Sequence, residues 1–196
     1  MHWARLAASR TGQIFALSSF ASDLGISVNT VKSWLGVLKA SGIIAMVEPY
    51  FENLGKRIIK TPKLYFLDTG LCCYLAGIRT VSALQSSALL GAFFETHVYS
   101  QLRRYLAGIG RRTPVYYFRA QGGTEIDFLL AEGEKLRLIE VKWSENPVTP
   151  NPSFEAVARA AGEERVLSQT LITPRRGART SHGVLITDSV DWSWLA

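Results

Sequence analysis

Two short stretches hold the residues best suited to chemistry. Glu125-Ile126-Asp127-Phe128-Leu129-Leu130 and Leu136-Arg137-Leu138-Ile139-Glu140-Val141-Lys142 are both strand-like, and Ala131-Glu132-Gly133-Glu134-Lys135 joins them. With Gly133 first and Glu134 second in a two-residue turn, the type II′ signature, the register is set. Glu132 then faces Lys135, Asp127 falls opposite Glu140, and Glu125 falls opposite Lys142. Side chains alternate along a strand, so these polar groups share one face while Ile126, Phe128, Ile139, Val141 and Trp143 share the other. Two carboxylates directly opposite each other repel, at a cost of about 0.2–1 kcal/mol for a cross-strand pair. A divalent cation turns that repulsion into ligation, because Mg2+ and Mn2+ prefer hard oxygen ligands. Lys142, on the same face as Glu140, then stands where an ammonium would position an attacking water or stabilise charge developing on a scissile phosphate.

A further carboxylate, Glu95, precedes Val98 and Tyr99, which continue to Leu102 and Leu106 as a core-facing helical stripe. An acid at the edge of an apolar stripe needs a partner, and a metal site on the hairpin would provide one. The same spacing also permits a plainer arrangement. Glu125 and Lys142 would form a cross-strand salt bridge, and Glu140 would be a solvated strand residue. Spacing alone leaves both open.

The elements that must position these groups have two textures. To about Ile78 helical periodicity dominates. Phe15 to Leu24 suggests a short helix, Gly25 allows a tight turn, and Ser27 sits where an N-cap belongs. Val28, Val31, Leu35 and Leu38 follow at three- and four-residue steps, leaving Asn29, Thr30, Lys32, Ser33 and Lys39 to face outward. That is the helix-turn-helix pattern. Ile43 to Val47 and Lys63 to Leu67 are natural strands, and the turn-rich loop between them carries Lys56 and Arg57. Two strands joined by a basic loop after such a helix pair make a wing. From about Ser82 the texture changes. A helix from Leu89 to about Leu106 precedes strand-like stretches at Val115 to Phe118, Glu125 to Leu130 and Leu136 to Trp143. A proline-marked loop, a helix near Ser153 to Ala161, and strands near Val166 to Thr173 and Val184 to Thr187 complete an α/β order. The expected domains are 1–80 and 81–196.

With 196 residues, 47% of them hydrophobic and 19% charged, the chain is long and apolar enough for a packed core. No apolar run approaches the ~20 residues a membrane span needs. The first residues lack the blocks of a signal peptide, so a cytoplasmic location is the default expectation. Cys72 and Cys73 are adjacent, which suits small buried apolar residues rather than a disulfide or zinc site. His2, His97 and His182 form no ligand spacing. The net charge is +6, with nine basic against four acidic residues through Thr80 and thirteen against twelve thereafter. A basic first half fits a nucleic-acid contact made mainly there.

Several of these stretches together resemble the C-terminal domain of a family of prokaryotic AAA-type ATPases. They are Gly91-Ala92-Phe93-Phe94-Glu95-Thr96-His97-Val98, Tyr116-Tyr117-Phe118-Arg119 leading to Gly123-Thr124-Glu125-Ile126-Asp127-Phe128, and Ile139-Glu140-Val141-Lys142-Trp143-Ser144. Lys63 to Leu71 is similar to the family's linker, and Gly25 to Val31 to its helix-turn-helix turn. The resemblance implies a winged helix followed by a restriction-endonuclease-like mixed-sheet domain of the PD-(D/E)xK type. Glu95, Asp127, Glu140 and Lys142 match the motif positions in turn, which leaves catalysis open, with Asp127, Glu140 and Glu95 the implied ligands of Mg2+ or Mn2+. Arg119 matches an arginine of the family pattern that binds phosphate or pairs with Glu125. The family's ATP-binding domain precedes the winged helix, and this chain has no G-x-x-x-x-G-K-[ST] run. The expectation is a truncated product or excised fragment whose partner is that ATPase domain.

Three functions follow. The first is DNA binding through Asn29, Thr30, Lys32, Ser33, Lys56, Arg57 and Arg119 without cleavage. The second is a metal-dependent DNA endonuclease. The third is a protein-interaction module regulating the ATPase domain, which Trp34 and Gly36 on the outward helix favour.

Overall fold

The computed structural model describes residues 2–51 and 58–195, and in it glycines and small polar caps set the ends of most elements. The chain forms two compact units, Met1–Val47 with Thr61–Ser100, and Glu48–Lys60 with Gln101–Ala196. Where the sequence texture sets a boundary at residue 80, the units interleave instead.

The first unit opens with α1 (His2–Ala8) and β1 (Gln13–Ile14), followed by α2 (Leu17–Leu24) and α3 (Val28–Ala40). Gly25, at φ 65°, ends α2 in the left-handed conformation that a side chain would strain. Ser27 then caps α3, its Oγ accepting the Thr30 N–H at 3.1 Å. Val31 and Leu35 of α3 bury against Phe15, Phe20 and Ala21. Next come β2 (Ile44–Val47) and β3 (Lys63–Phe66). The antiparallel sheet has the order β1-β3-β2, with Gln13 opposite Leu64 and Ile44 opposite Phe66.

The stretch that resembles a linker is β3 followed by α4 (Thr69–Ala76), which Asp68 caps by accepting the Leu71 N–H at 2.7 Å. α5 (Val81–Gln85) and the long α6 (Leu90–Gly108) follow, and the division between units falls within α6. Cys72 packs in this core with its thiol donating to the Ala8 carbonyl, and burial pushes that thiol up to about 12.

The second unit is built on a mixed sheet. In chain order its strands are β4 (Val115–Arg119), β5 (Glu125–Glu132), β6 (Lys135–Val141), β7 (Val166–Ile172), β8 (Arg179–Ser181) and β9 (Val184–Thr187). The spatial order is β4-β5-β6-β7-β9-β8. β4, β5 and β6 run antiparallel to their neighbours, β6, β7 and β9 run parallel, and β8 closes a hairpin on β9. Parallel neighbours need a crossover. Between β6 and β7 this is α7 (Pro152–Ala161), capped by Asn151 with proline in its first turn. Phe154 and Val157 of α7 bury against Leu136, Leu138, Leu171 and Ile186 of the sheet. Helices with a mixed sheet place the protein in the α/β class expected. Among the described residues no helix is long and apolar enough to cross a membrane.

β4 stands at an edge of this sheet, and an edge strand leaves a row of backbone groups without partners. Glu48, Tyr50 and Ile59 supply several of them. The Tyr50 N–H donates to the Tyr117 carbonyl at 2.7 Å, the Tyr117 N–H to the Glu48 carbonyl at 3.2 Å, and the Ile59 N–H to the Arg119 carbonyl at 2.9 Å. Both described flanks of the expected wing loop are therefore tied along β4, which is why the compact units are not contiguous in sequence. Lys56 and Arg57, expected at the wing tip, lie outside the described residues.

Ser27 holds the start of α3 and so the orientation of its outward face. Ser27→Ala is expected to cost about 1 kcal/mol of stability. The urea midpoint should fall at unchanged slope; an unchanged midpoint would show that the cap holds nothing.

Candidate functional site

The hairpin turn has the geometry its residues demand. Gly133 takes φ 63° and Glu134 stays out of the left-handed region, as a type II′ turn requires. The register follows, running from Glu132 opposite Lys135 to Phe128 opposite Ile139. There the ladder stops. β5 continues beside β4, with Ile126 opposite Phe118 and Glu125 opposite Arg119. β6 continues beside β7, with Glu140 opposite Leu171 and Val141 opposite Ile172. At the parting the Val141 N–H donates to Asp127 Oδ2 at 2.9 Å, so a carboxylate takes the place of a backbone carbonyl.

Three of the expected site residues meet here. Asp127 and Glu140 are buried, at 6% and 2% exposure. Lys142, just past the end of β6, places Nζ 2.8 Å from Glu140 Oε2 while its side chain remains 52% exposed. Its backbone N–H donates to the Ile172 carbonyl at 2.9 Å, which anchors it beside the end of β7. The Glu140 carboxyl is pushed up to about 8, first by burial and then by the charge of Asp127, with Glu125 adding to the rise and Lys142 opposing it. Burial beside Asp127 therefore favours the protonated form of Glu140. Glu140 is not the solvated strand residue that the plainer arrangement supposed.

With both buried carboxyls ionised, the single partly exposed ammonium would leave the site short of positive charge, and a hard divalent cation would fit that shortage. Asp127 and Glu140 are the residues that would hold it. Among the described residues no group of three or more His, Cys, Asp or Glu side chains converges. Water and phosphate oxygens would fill the remaining positions, as is common for Mg2+ bound by one or two carboxylates.

Residues 1–82 match the model of a domain of unknown function (DUF8612), and residues 90–175 match that of another (DUF4143). Both halves thus have known relatives. The uncharacterized proteins Rv2008c of Mycobacterium tuberculosis and Mb2031c of Mycobacterium bovis are each 32% identical to this chain over 190 residues. The match covers 92% of this chain and 41% of each relative, so the chain spans about two fifths of the length of the curated relatives it matches.

The remaining candidates are placed as follows. Glu95 belongs to the first unit, and its Oε1 accepts from Lys63 Nζ at 3.0 Å and from the Tyr65 hydroxyl. Lys63 is itself buried, so the acid at the edge of the apolar stripe has its counter-ion within its own unit. Arg119 lies 3.5 Å from Glu125 Oε2, the pairing alternative of the two left open. On α3, Asn29, Lys32 and Ser33 are exposed and Thr30 is half-buried, its hydroxyl 2.9 Å from that of Ser27. Trp34 is half-buried, its ring tilted against that of Trp3 at 5.0 Å between centroids. Further along the outward face Gly36, Val37 and Ala40 are exposed. Two features escaped sequence reasoning: the use of the Val141 N–H to fix Asp127, and the arginines of the loop after β7. Neither spacing nor hydropathy marks the first, whereas the density of arginine was visible for the second.

The Glu140 carboxyl also sets a pH dependence. Its folded-state value near 8 lies above the ordinary 4.5, so the folded protein binds the extra proton between those values. Stability then falls as pH rises through that window. In chelator, Glu140→Gln should flatten the fall in urea midpoint between about pH 5 and pH 8. Parallel wild-type and variant profiles would show that Glu140 ionises freely.

Proposed function

We propose that this chain is the DNA-binding C-terminal region of an AAA-type ATPase, and that its second unit is a PD-(D/E)xK nuclease-like domain holding Mg2+ or Mn2+. The observation that carries the reading is the convergence of Asp127, Glu140 and Lys142 where β5 and β6 part. The first unit supports it with the element order of a winged helix, a capped α3 following α2 and then β2 and β3. The second matched domain is of a kind typically found in C-terminal regions of such ATPases. DNA contact in the first unit falls to Asn29, Thr30, Lys32 and Ser33 at the start of α3, where helix-turn-helix proteins read base edges.

A bound cation would supply charge neutralisation of a phosphate and acidification of a water. The chain's own groups do the rest. Asp127, fixed by the Val141 N–H, is an oriented acceptor. Glu140 gives up its proton when positive charge arrives beside it. Lys142 is held by Glu140 yet half exposed, placed to pair with a phosphate oxygen. Endonuclease activity is the stronger form of this reading. The interaction-module reading rests on Val37, 62% exposed on α3 beside Gly36 and Ala40, where a base-reading helix would carry polar groups.

Calorimetric titration with MnCl2 tests the site. The wild type should bind and release close to one proton near pH 7, read as a dependence of the heat on buffer ionisation enthalpy, because Glu140 must deprotonate. Affinity should rise with pH up to about 8. Asp127→Asn should abolish the heat. Equal heats in wild type and variant would remove these carboxylates from consideration.

A further inference from the structure

Strand β7 ends at Ile172, and Thr173-Pro174-Arg175-Arg176-Gly177-Ala178-Arg179 leads on to β8. Residues 174–179 carry three arginines and no acid. Arg175 and Arg176 are exposed. The loop is held in shape by Gly177, whose φ of 87° only glycine adopts freely and whose N–H donates to Asp188 Oδ2 at 3.0 Å.

The same loop is joined to the one that follows β6. Arg179 Nη2 donates to the Glu145 carbonyl at 3.1 Å, Arg175 Nη1 to Asn146 Oδ1 at 3.5 Å, and the Thr149 and Ser181 hydroxyls meet at 3.0 Å. β6 and β7 are parallel, so both loops leave the sheet at the same end, which is the end where Glu140 and Lys142 stand. Trp143, next to Lys142, exposes 47% of its surface at that end. The loops thus bring Lys142, Trp143, Arg175 and Arg176 to one end of the sheet, with Glu140, Glu145 and Asp188 as acids at that end. Burial raises the Asp188 carboxyl, but backbone N–H groups from Val190, Gly177 and Asp191 and the charge of Arg176 outweigh it and lower it overall, so its negative charge is engaged within the loop.

We propose that the rim at this end of the sheet binds single-stranded nucleic acid, with Arg175 and Arg176 on successive phosphates and Trp143 stacked on an unpaired base. Exposed guanidinium groups suit repeated phosphates. A half-exposed indole at this end of the sheet suits a base whose face is open, which a duplex does not offer. The proposal names the substrate for the carboxylate site and in that respect rests on the reading above, although binding itself requires no metal.

The test is fluorescence anisotropy of a labelled oligothymidylate and of a duplex of equal length, with the intact chain. Melting curves check that each variant folds. Arg175→Ala with Arg176→Ala should weaken single-strand affinity about tenfold or more and flatten the log–log salt slope by about 1.4, near 0.7 per phosphate lost. Trp143→Ala should weaken single-strand binding about tenfold, within the range for loss of one stacked base, with little effect on the duplex. Arg112→Ala, at an exposed position before β4 that belongs to neither surface, should leave single-strand binding unchanged.

Loss of binding in Lys32→Ala with wild-type behaviour in the rim variants would overturn the rim and leave the α3 reading standing. Equal losses for duplex and single strand, with Trp143→Ala silent, would overturn the single-strand assignment. Rim-dependent binding in a protein that shows no MnCl2 heat would support the rim and overturn the metal site. A wild type that binds neither oligonucleotide would overturn both.

Discussion

The bond from the Val141 N–H to the Asp127 carboxylate governs the second unit's chemistry. Antiparallel strands ordinarily keep exchanging backbone bonds to the end of a hairpin, and here the exchange gives way to a side chain. A hydrogen bond to a charged acceptor is worth about 1.5–3 kcal/mol, more than the neutral backbone bond it displaces. The substitution therefore allows β5 to follow β4 and β6 to follow β7 without leaving the Val141 N–H unsatisfied. It also fixes Asp127 as an acceptor next to Glu140. Burial of Glu140 beside that group follows from the same parting of strands, and so does the upward push on its carboxyl.

How much of this was legible in the sequence depends on the range of the interaction. The hairpin register was, because Gly133 and Glu134 determine it locally and every later pairing is counted from that turn. The end of the ladder was not, because it depends on β4 and β7 drawing the strands apart, and those neighbours are chosen by the whole sheet. Ser27 and Gly25 announced α2 and α3 by type and position. α1 and the two-residue β1 carry too little pattern to register, and α4 was hidden within a stretch read as connection although Asp68 is an ordinary cap. Glu95 illustrates the limit most clearly. Its place on the apolar stripe said that it needed a partner, but not that Lys63 and Tyr65, 32 and 30 residues earlier, would supply one.

Charge counts misdirect for a related reason. Thirteen basic against twelve acidic residues after Thr80 read as neutral. The acids are spent in pairs, Glu132 with Arg137 at 3.0 Å and Glu125 with Arg119 at 3.5 Å, whereas Arg175 and Arg176 face outward together. Parallel topology then delivers that loop to the end of the sheet bearing Glu140. In the first unit the converse holds. Lys63 adds to the basic count yet is buried against Glu95. Surface potential follows from topology and burial more than from totals.

The proton on Glu140 links stability to chemistry in this arrangement. An ionised carboxyl buried beside Asp127 would strain the fold, and protonation relieves it. Lys142 cannot neutralise the pair alone, since half of its side chain faces solvent and its charge is screened there. In the proposed reading, a bound cation would offset the charge of an ionised Glu140, a task Lys142 would otherwise carry alone. The ammonium can then turn to a phosphate. A lysine fully buried against Glu140 would carry a desolvation penalty and lie out of reach of a phosphate, so in the proposed reading the partial exposure of Lys142 is what suits it to that role.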